Sequence, residues 1–215
     1  YIGVLGYSNA TFSVLASLRD DHVLRLLDGQ AQSDALEAGG WRYFHYSLAN
    51  ASEGFYVSVQ PSYGDPDVFL SNTGDAPSRS VHGWASYAYG ADRVRVTANS
   101  SVDGMGATFC AGCTYTIGVS STGAAEYSIT ASRIGGTTLL QDGVRSEGEV
   151  FRGSYTRFRY YVADLNAGVH IRVEASRGGV LPQLFASFSA APERNTATFY
   201  ATVAATRHPG ARGCH

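Results

Sequence analysis

Apolar and polar residues alternate with period two along this chain, and glycine-bearing turns cut the alternation into short runs. Val169, Ile171 and Val173 interleave with His170, Arg172 and Glu174, and Phe55, Val57 and Val59 interleave with Tyr56, Ser58 and Gln60. Successive side chains of a strand point to opposite faces, so each run predicts a half-buried strand. No stretch carries apolar residues at 3.6-residue spacing over the length of a helix. Turn signals separate the runs at Asp28-Gly29, Ala38-Gly39-Gly40, Gly64-Asp65-Pro66, Gly90-Ala91-Asp92, Asp142-Gly143 and Gly178-Gly179. Short strands at this spacing predict an all-β sandwich or barrel and not an α/β sheet. The 25 glycines, 14 tyrosines and 10 phenylalanines suit that class.

A chain of 215 residues has room for one large domain or two of about 100 residues. Internal repetition decides between them. Laying residues 26–59 on residues 140–173 needs no gap and gives nine identities, at Leu26, Asp28, Gly29, Gly39, Phe44, Tyr46, Ala49, Gly54 and Val59, with Trp41 on Tyr155. The matches fall on turn glycines and inward-facing aromatics, as two diverged copies of one sandwich would keep. The expected fold is therefore two tandem antiparallel β-sandwiches, Ig-like or jelly-roll-like.

The ends of the repeats are offset. Gly112-Cys113-Thr114-Tyr115-Thr116-Ile117-Gly118-Val119 and Tyr127-Ser128-Ile129-Thr130-Ala131-Ser132 read as a closing β-hairpin of the first sandwich. The second sandwich reaches Gly213-Cys214-His215 without one, while residues 3–17 align without a gap on residues 118–132, with Gly3, Val4, Ala10, Ser13, Ala16 and Ser17 identical to their counterparts. Joining Cys214-His215 to Tyr1-Ile2-Gly3-Val4 reproduces the first sandwich's run less one residue. The expected layout is a donor β-hairpin at 1–17, domain A at 18–132 and domain B at 133–215, with 18–21 and 133–136 as short connections. Tyr1 stands where an initiator Met would, which predicts a processed product or an excerpt of a longer chain.

A sandwich short of its closing strands exposes an apolar groove and unpaired edges. Strand addition from another copy would satisfy both, burying Tyr1, Ile2, Val4, Phe12 and Val14 as the assembly interface. Donor and acceptor surfaces differ, so the contact propagates into a helical filament unless it closes a ring. The expected function is a structural subunit of an extracellular fibre, with other copies of itself as partner. The rivals are one period of a longer tandem-repeat polypeptide, a hairpin folded back on its own domain B, and a secreted accessory binding module of a hydrolase that recognises polysaccharide or protein.

Four motifs carry a family resemblance: Trp41-Arg42-Tyr43-Phe44-His45-Tyr46, Gly64-Asp65-Pro66-Asp67-Val68-Phe69-Leu70, Arg93-Val94-Arg95-Val96 and Tyr1-Ile2-Gly3-Val4-Leu5-Gly6-Tyr7-Ser8. The sequence resembles the bacterial pre-peptidase C-terminal domain. The resemblance implies a secreted β-sandwich of the kind found in tandem copies beside proteases and in surface proteins, hence an extracellular or cell-surface location. Domain B departs from the motif: Val180-Leu181-Pro182-Gln183-Leu184-Phe185 has neither acidic residue.

The remaining chemistry is sparse. Sixteen basic residues, all Arg, against eighteen acidic give a net charge of -2, which excludes a polybasic nucleic-acid binder, and no apolar run approaches a membrane span. Six His are scattered with no metal-helix spacing, and no nucleophile elbow or phosphate loop occurs, so no catalytic residue and no enzyme activity are expected. His45 and His170 fall at strand positions predicted to face solvent. Asp65, Asp67 and Asp75 carry the oxygens that Ca²⁺ prefers, while Asx side chains holding a turn explain them without a metal. Domain B manages without them, which favours the turn; Ca²⁺ stays the alternative, and no other cofactor is expected. Cys110 and Cys113 read as a short local disulfide, leaving Cys214 free or bridging subunits. Asn9, Asn50 and Asn99 head Asn-x-Ser/Thr sequons in predicted turns or strand ends, which in a eukaryotic source predict N-linked glycans. Trp84, Tyr87 and Tyr89 have the rings for a sugar platform, although strand aromatics more often pack.

Overall fold

The computed structural model describes residues 5, 7, 23–49, 53–100, 107–146, 148–162, 168–174, 182–188, 194 and 199–202. Tyr1, Ile2, Val4, Asn9, Phe12, Val14, Asn50 and Cys214, and the connection 18–21, lie outside the described residues. Among the described residues there are thirteen strands and no helix.

Nine strands build the first repeat: β1 (Leu24–Arg25), β2 (Ala31–Leu36), β3 (Trp41–Ser47), β4 (Phe55–Tyr63), β5 (Pro66–Ser71), β6 (Trp84–Ser86), β7 (Asp92–Val96), β8 (Thr114–Ser121) and β9 (Ala125–Arg133). They form a five-stranded sheet of order β1-β3-β8-β5-β6 and a four-stranded sheet of order β2-β9-β4-β7. The period-two pattern sets which face of each is buried. Phe44, Tyr46, Tyr115, Ile117 and Val119 from the first sheet meet Phe55, Val57, Val59, Tyr127 and Ile129 from the second in one apolar core. Phe55 contacts rings of the opposite sheet at 5.0 Å (Tyr46) and 4.7 Å (Tyr115). Such pairs add about 0.5–1.5 kcal/mol each to the burial itself. Face-to-face packing of two sheets makes this repeat an all-β sandwich.

Residues 115–132 do not form a hairpin: β8 pairs with β3 and β5, and β9 pairs with β2 and β4. The turn at 122–124 carries the chain over the end of the sandwich from one sheet to the other. Period-two alternation in two successive strands fits a hairpin in one sheet and two strands facing each other across a core equally well. The neighbours available decide, because both edges of β8 and both edges of β9 are already taken. β8 is therefore the centre of its sheet and β9 an interior strand of the other.

The second strand of this crossing pair is fastened at its end by Asp28. The Asp28 carboxylate accepts hydrogen bonds at 2.8 Å from the Tyr46 hydroxyl, the Arg133 backbone N–H and Arg133 Nε. Gly54, just before β4, has φ of 93°, and a Cβ there would lie 2.0 Å from the Val96 carbonyl, so only glycine lets β4 enter beside β7.

Partial burial pushes the Asp28 carboxyl up, but the hydrogen bonds from Arg133 and Tyr46 and the Arg133 charge outweigh it, and the net shift is downward. A carboxyl depressed in the folded state contributes stability that is present above the unfolded value near 3.9 and lost as pH falls through the folded value. Asp28→Ala is expected to destabilise the first repeat by about 1–3 kcal/mol at pH 7. Denaturant melts should find the deficit shrinking toward pH 2; a deficit independent of pH would locate its cause outside these bonds.

Candidate assembly site

The second repeat copies the flanks of the first repeat's five-stranded sheet. Its strands are β10 (Thr137–Leu140), β11 (Arg157–Tyr160), β12 (Gln183–Ala186) and β13 (Phe199–Thr202). The parallel pair β10–β11 sets Thr138 opposite Phe158 and Leu139 opposite Arg159. These are the repeat counterparts of Leu24 opposite Phe44 and Arg25 opposite His45 in the parallel pair β1–β3. The Tyr160 hydroxyl donates to Asp142 Oδ1 at 3.0 Å, repeating the bond from Tyr46 to Asp28. Aligning Pro182 on Pro66 makes β12–β13, antiparallel with Phe185 opposite Tyr200, the counterpart of β5–β6, antiparallel with Phe69 opposite Ala85.

The centre is what differs. In the first repeat β8 lies between β3 and β5, whereas β10–β11 and β12–β13 are separate two-stranded sheets, and no described strand joins β11 to β12. Nevertheless the Tyr155 ring, just before β11, meets the Phe185 ring of β12 edge-on at 6.2 Å. Its counterpart is the contact of Trp41 with Phe69 at 5.4 Å, which is made across β8.

The strand expected at 169–174 is corrected: residues 168–174 have no strand pairing, and Val169 and Ile171 are 42% and 46% exposed, where their counterparts Phe55 and Val57 are fully buried. The physical reason lies in β4, which holds its place through ladders to β9 and β7. Alternation makes a strand only when a neighbour supplies the ladder. Phe158 and Val150, counterparts of the buried Phe44 and Leu36, are likewise exposed.

The connection between repeats is short and pinned. Ile134 and Gly135 form a turn in which the Gly136 N–H donates to the Arg133 carbonyl at 2.9 Å, and the Leu139 N–H then donates to the Gly29 carbonyl at 2.7 Å. Beyond it, an open groove of about 300 Å³ separates the outer face of the four-stranded sheet from residues 145–158. Arg93 stacks on Tyr56 at 4.0 Å there, and Arg95 lies over Phe151 at 5.2 Å.

The acidic turn is held by protein groups. Asp65 Oδ1 accepts the Gly90 N–H at 2.7 Å, Asp67 is paired with Arg79, and Asp75 is exposed. Among the described residues no three His, Cys, Asp or Glu side chains converge as metal ligands. Cys110 and Cys113 are joined by a disulfide, and the Tyr115 hydroxyl donates to the Cys110 carbonyl and accepts its N–H. Asn99 is exposed in a turn, His45 is half-buried and His170 is exposed. Trp84 belongs to the core, whereas Tyr87 and Tyr89 are exposed.

The sequence placed Asp92 in a turn but gave no sign that it is fully buried at the start of β7. Its Oδ1 accepts from Ser86 Oγ at 2.6 Å and the Ala88 N–H at 3.0 Å, while Oδ2 has no partner. Sequence reasoning passed over the bond between Asp142 and Tyr160, although the signal was there: both copies keep an Asp and a Tyr at the same two repeat positions.

No family model and no curated protein matches the chain. Among solved structures it is similar to the pre-peptidase C-terminal domain of collagenase from Bacillus anthracis, at 14% identity and a TM-score of 0.36, covering 54% of this chain and 100% of that one. It is also similar to PliG, a periplasmic inhibitor of g-type lysozyme, from Salmonella Typhimurium (18% identity, TM-score 0.30, 51% of this chain and 96% of that one). The PliG of Aeromonas hydrophila matches at 13% identity and a TM-score of 0.32, over 51% and 94% of the two chains.

Burial pushes the Asp92 carboxyl up; the bonds from Ser86 and Ala88 oppose this, and the charges of Asp67 and Asp65 add to it. For a carboxyl raised in the folded state the native form takes up protons first. Its stability therefore rises as pH falls from the folded value toward the unfolded one near 3.9. Asp92→Asn keeps the Oδ1 acceptor and removes the buried charge, so it is expected to equal or exceed the wild type in melting temperature at pH 7. It should also lack the acid-side gain; a marked loss at pH 7 would mean that the charge itself is needed.

Proposed function

We propose that the chain is a non-catalytic structural module that assembles by strand donation, residues 1–17 of one copy supplying the two central strands of the second repeat of another. The product is an extracellular filament of this chain. One observation carries the reading: β10–β11 and β12–β13 repeat the flanks of the five-stranded sheet in register, and residues 3–17 match residues 118–132, which in the first repeat end β8 at the centre of that sheet and run on into β9 of the other. The donor is then two strands that cross between sheets, not a hairpin. Ile2 and Val4 enter one sheet, Phe12 and Val14 the other, and residues 6–9 pass over the end of the sandwich.

Physical chemistry favours occupancy. Val169, Ile171, Phe158 and Val150 are exposed where their counterparts are buried, and removing apolar surface from water is worth about 25 cal/mol per Å². Unpaired strand edges gain ladder partners at the same time. Asp142 has the place that Asp28 has in the first repeat. The counterpart of the Arg133 N–H that caps Asp28 is the N–H of Leu18, a backbone group that survives the change of side chain. Donor and acceptor are different surfaces, so the contact is heterologous and extends without limit unless it closes. The Cys110–Cys113 disulfide suits an oxidising compartment, in keeping with an extracellular site.

Deleting residues 1–17 is expected to abolish filaments in electron micrographs while the first repeat stays folded, because it holds its own β8 and β9. Filaments of normal length from the truncated chain would sink the reading. A monomer that binds an insoluble polysaccharide without assembling would support the accessory-module alternative instead.

A further inference from the structure

We infer that the ring pair Tyr155–Phe185 sets the register of the incoming strand, by admitting only glycine beneath it, and that Gly3 of a second copy is that glycine. This deepens the donation reading and rests on it.

The first repeat supplies the geometry. The strands on either side of β8 stand roughly 9–10 Å apart, twice the ordinary strand spacing, and Trp41 and Phe69 reach over β8 to touch at 5.4 Å. Gly118 lies under them, opposite Tyr43 on β3 and Phe69 on β5. A Cβ on Gly118 would sit 3.1 Å from Trp41 Cζ3, 3.1 Å from Tyr43 Cε1 and 3.3 Å from Pro77 Cγ. Gly118 is not among the residues with positive φ, so this glycine provides space and not a special backbone conformation.

In the second repeat the counterparts of Trp41, Phe69 and Gly118 are Tyr155, Phe185 and Gly3. The rings of Tyr155 and Phe185 meet although β11 and β12 belong to separate ladders. The roof of the slot is thus present with no described strand beneath it, where β8 runs in the first repeat. Carrying over the ladder registers of β8 puts Ile2 opposite Phe158, Gly3 opposite Arg157 and Phe185, and Val4 opposite Leu184.

Alternation alone does not choose this register. A slip of one residue turns Ile2 and Val4 to the wrong face and is excluded by burial. A slip of two residues keeps every face correct, and only local bulk rejects it. Such a slip brings Tyr1 or Leu5 under the rings, each far larger than the Cβ that already crowds Gly118. Gly6, three residues from Gly3, projects from the opposite face and is no substitute.

The test uses the full chain with Cys214→Ser as background. Val4→Cys with Leu184→Cys should form disulfides between copies, giving a ladder on non-reducing denaturing gels that collapses on reduction. Ile2→Cys with Leu184→Cys reports the two-residue slip and should give none. Gly3→Val should lower the sedimentable fibre at least tenfold, and Tyr155→Ala added to it should restore most of the loss. Gly3→Val filaments at wild-type yield, a loss that Tyr155→Ala leaves unrelieved, or cross-links at Ile2 instead of Val4 would each overturn the glycine gate while leaving donation standing. Donation itself fails if filaments also persist without residues 1–17.

Discussion

The ladders of β8 and β9 are the constraint on which the rest of the first repeat depends. An interior strand of a sheet satisfies backbone groups on both of its edges and also on the facing edges of two neighbours. β8 does this for β3 and β5, and β9 for β2 and β4. Without them the five-stranded sheet separates into two pairs and the four-stranded sheet loses the connection between β2 and β4. The buried faces of both strands also supply Tyr115, Ile117, Val119, Tyr127 and Ile129 to the core, so ladder and core stand or fall together.

The second repeat illustrates the same dependence from the other side. The pairs that need no central strand, β10–β11 and β12–β13, are in place, down to the register and the hydrogen bond from Tyr160 to Asp142. The described residues of the stretches that match β2 and β4 have no ladder, and Val169 and Ile171 stand partly in water. Folding and assembly are then one problem under the proposed reading: the groups left open by an incomplete sandwich are the ones that recognise another copy.

Buried polar groups tune this framework. Asp28 ties the end of β9 to Tyr46 of the opposite sheet and is held ionised by its partners. Asp92 is enclosed at the start of β7 with one oxygen unpartnered, and burial favours its protonated form. The acidic turn beside it is fastened by Arg79 and the Gly90 N–H. The disulfide and the Tyr115 hydroxyl secure the loop leading into β8, the strand whose placement matters most.

Much of this was legible in the amino-acid order because the cause is local. Period two selects strands, Asp-Gly and Gly-Gly steps mark turns, and identities at Asp28, Phe44, Tyr46 and Gly54 recur 114 residues on. The match of residues 3–17 to 118–132 was visible for the same reason. Which sheet each strand joins was not visible, since alternation names the buried face of a strand but not its neighbours. Residues 115–132 therefore read as a hairpin and are instead two strands facing each other across the core. Residues 169–174 had the best alternation of all and form no strand, because a ladder is a property of pairs. The ring contacts of Trp41 with Phe69 and of Tyr155 with Phe185 join residues far apart in the chain. Only the tertiary structure brings Trp41 and Phe69 together over the width of β8, and so gives a reason for glycine at 118.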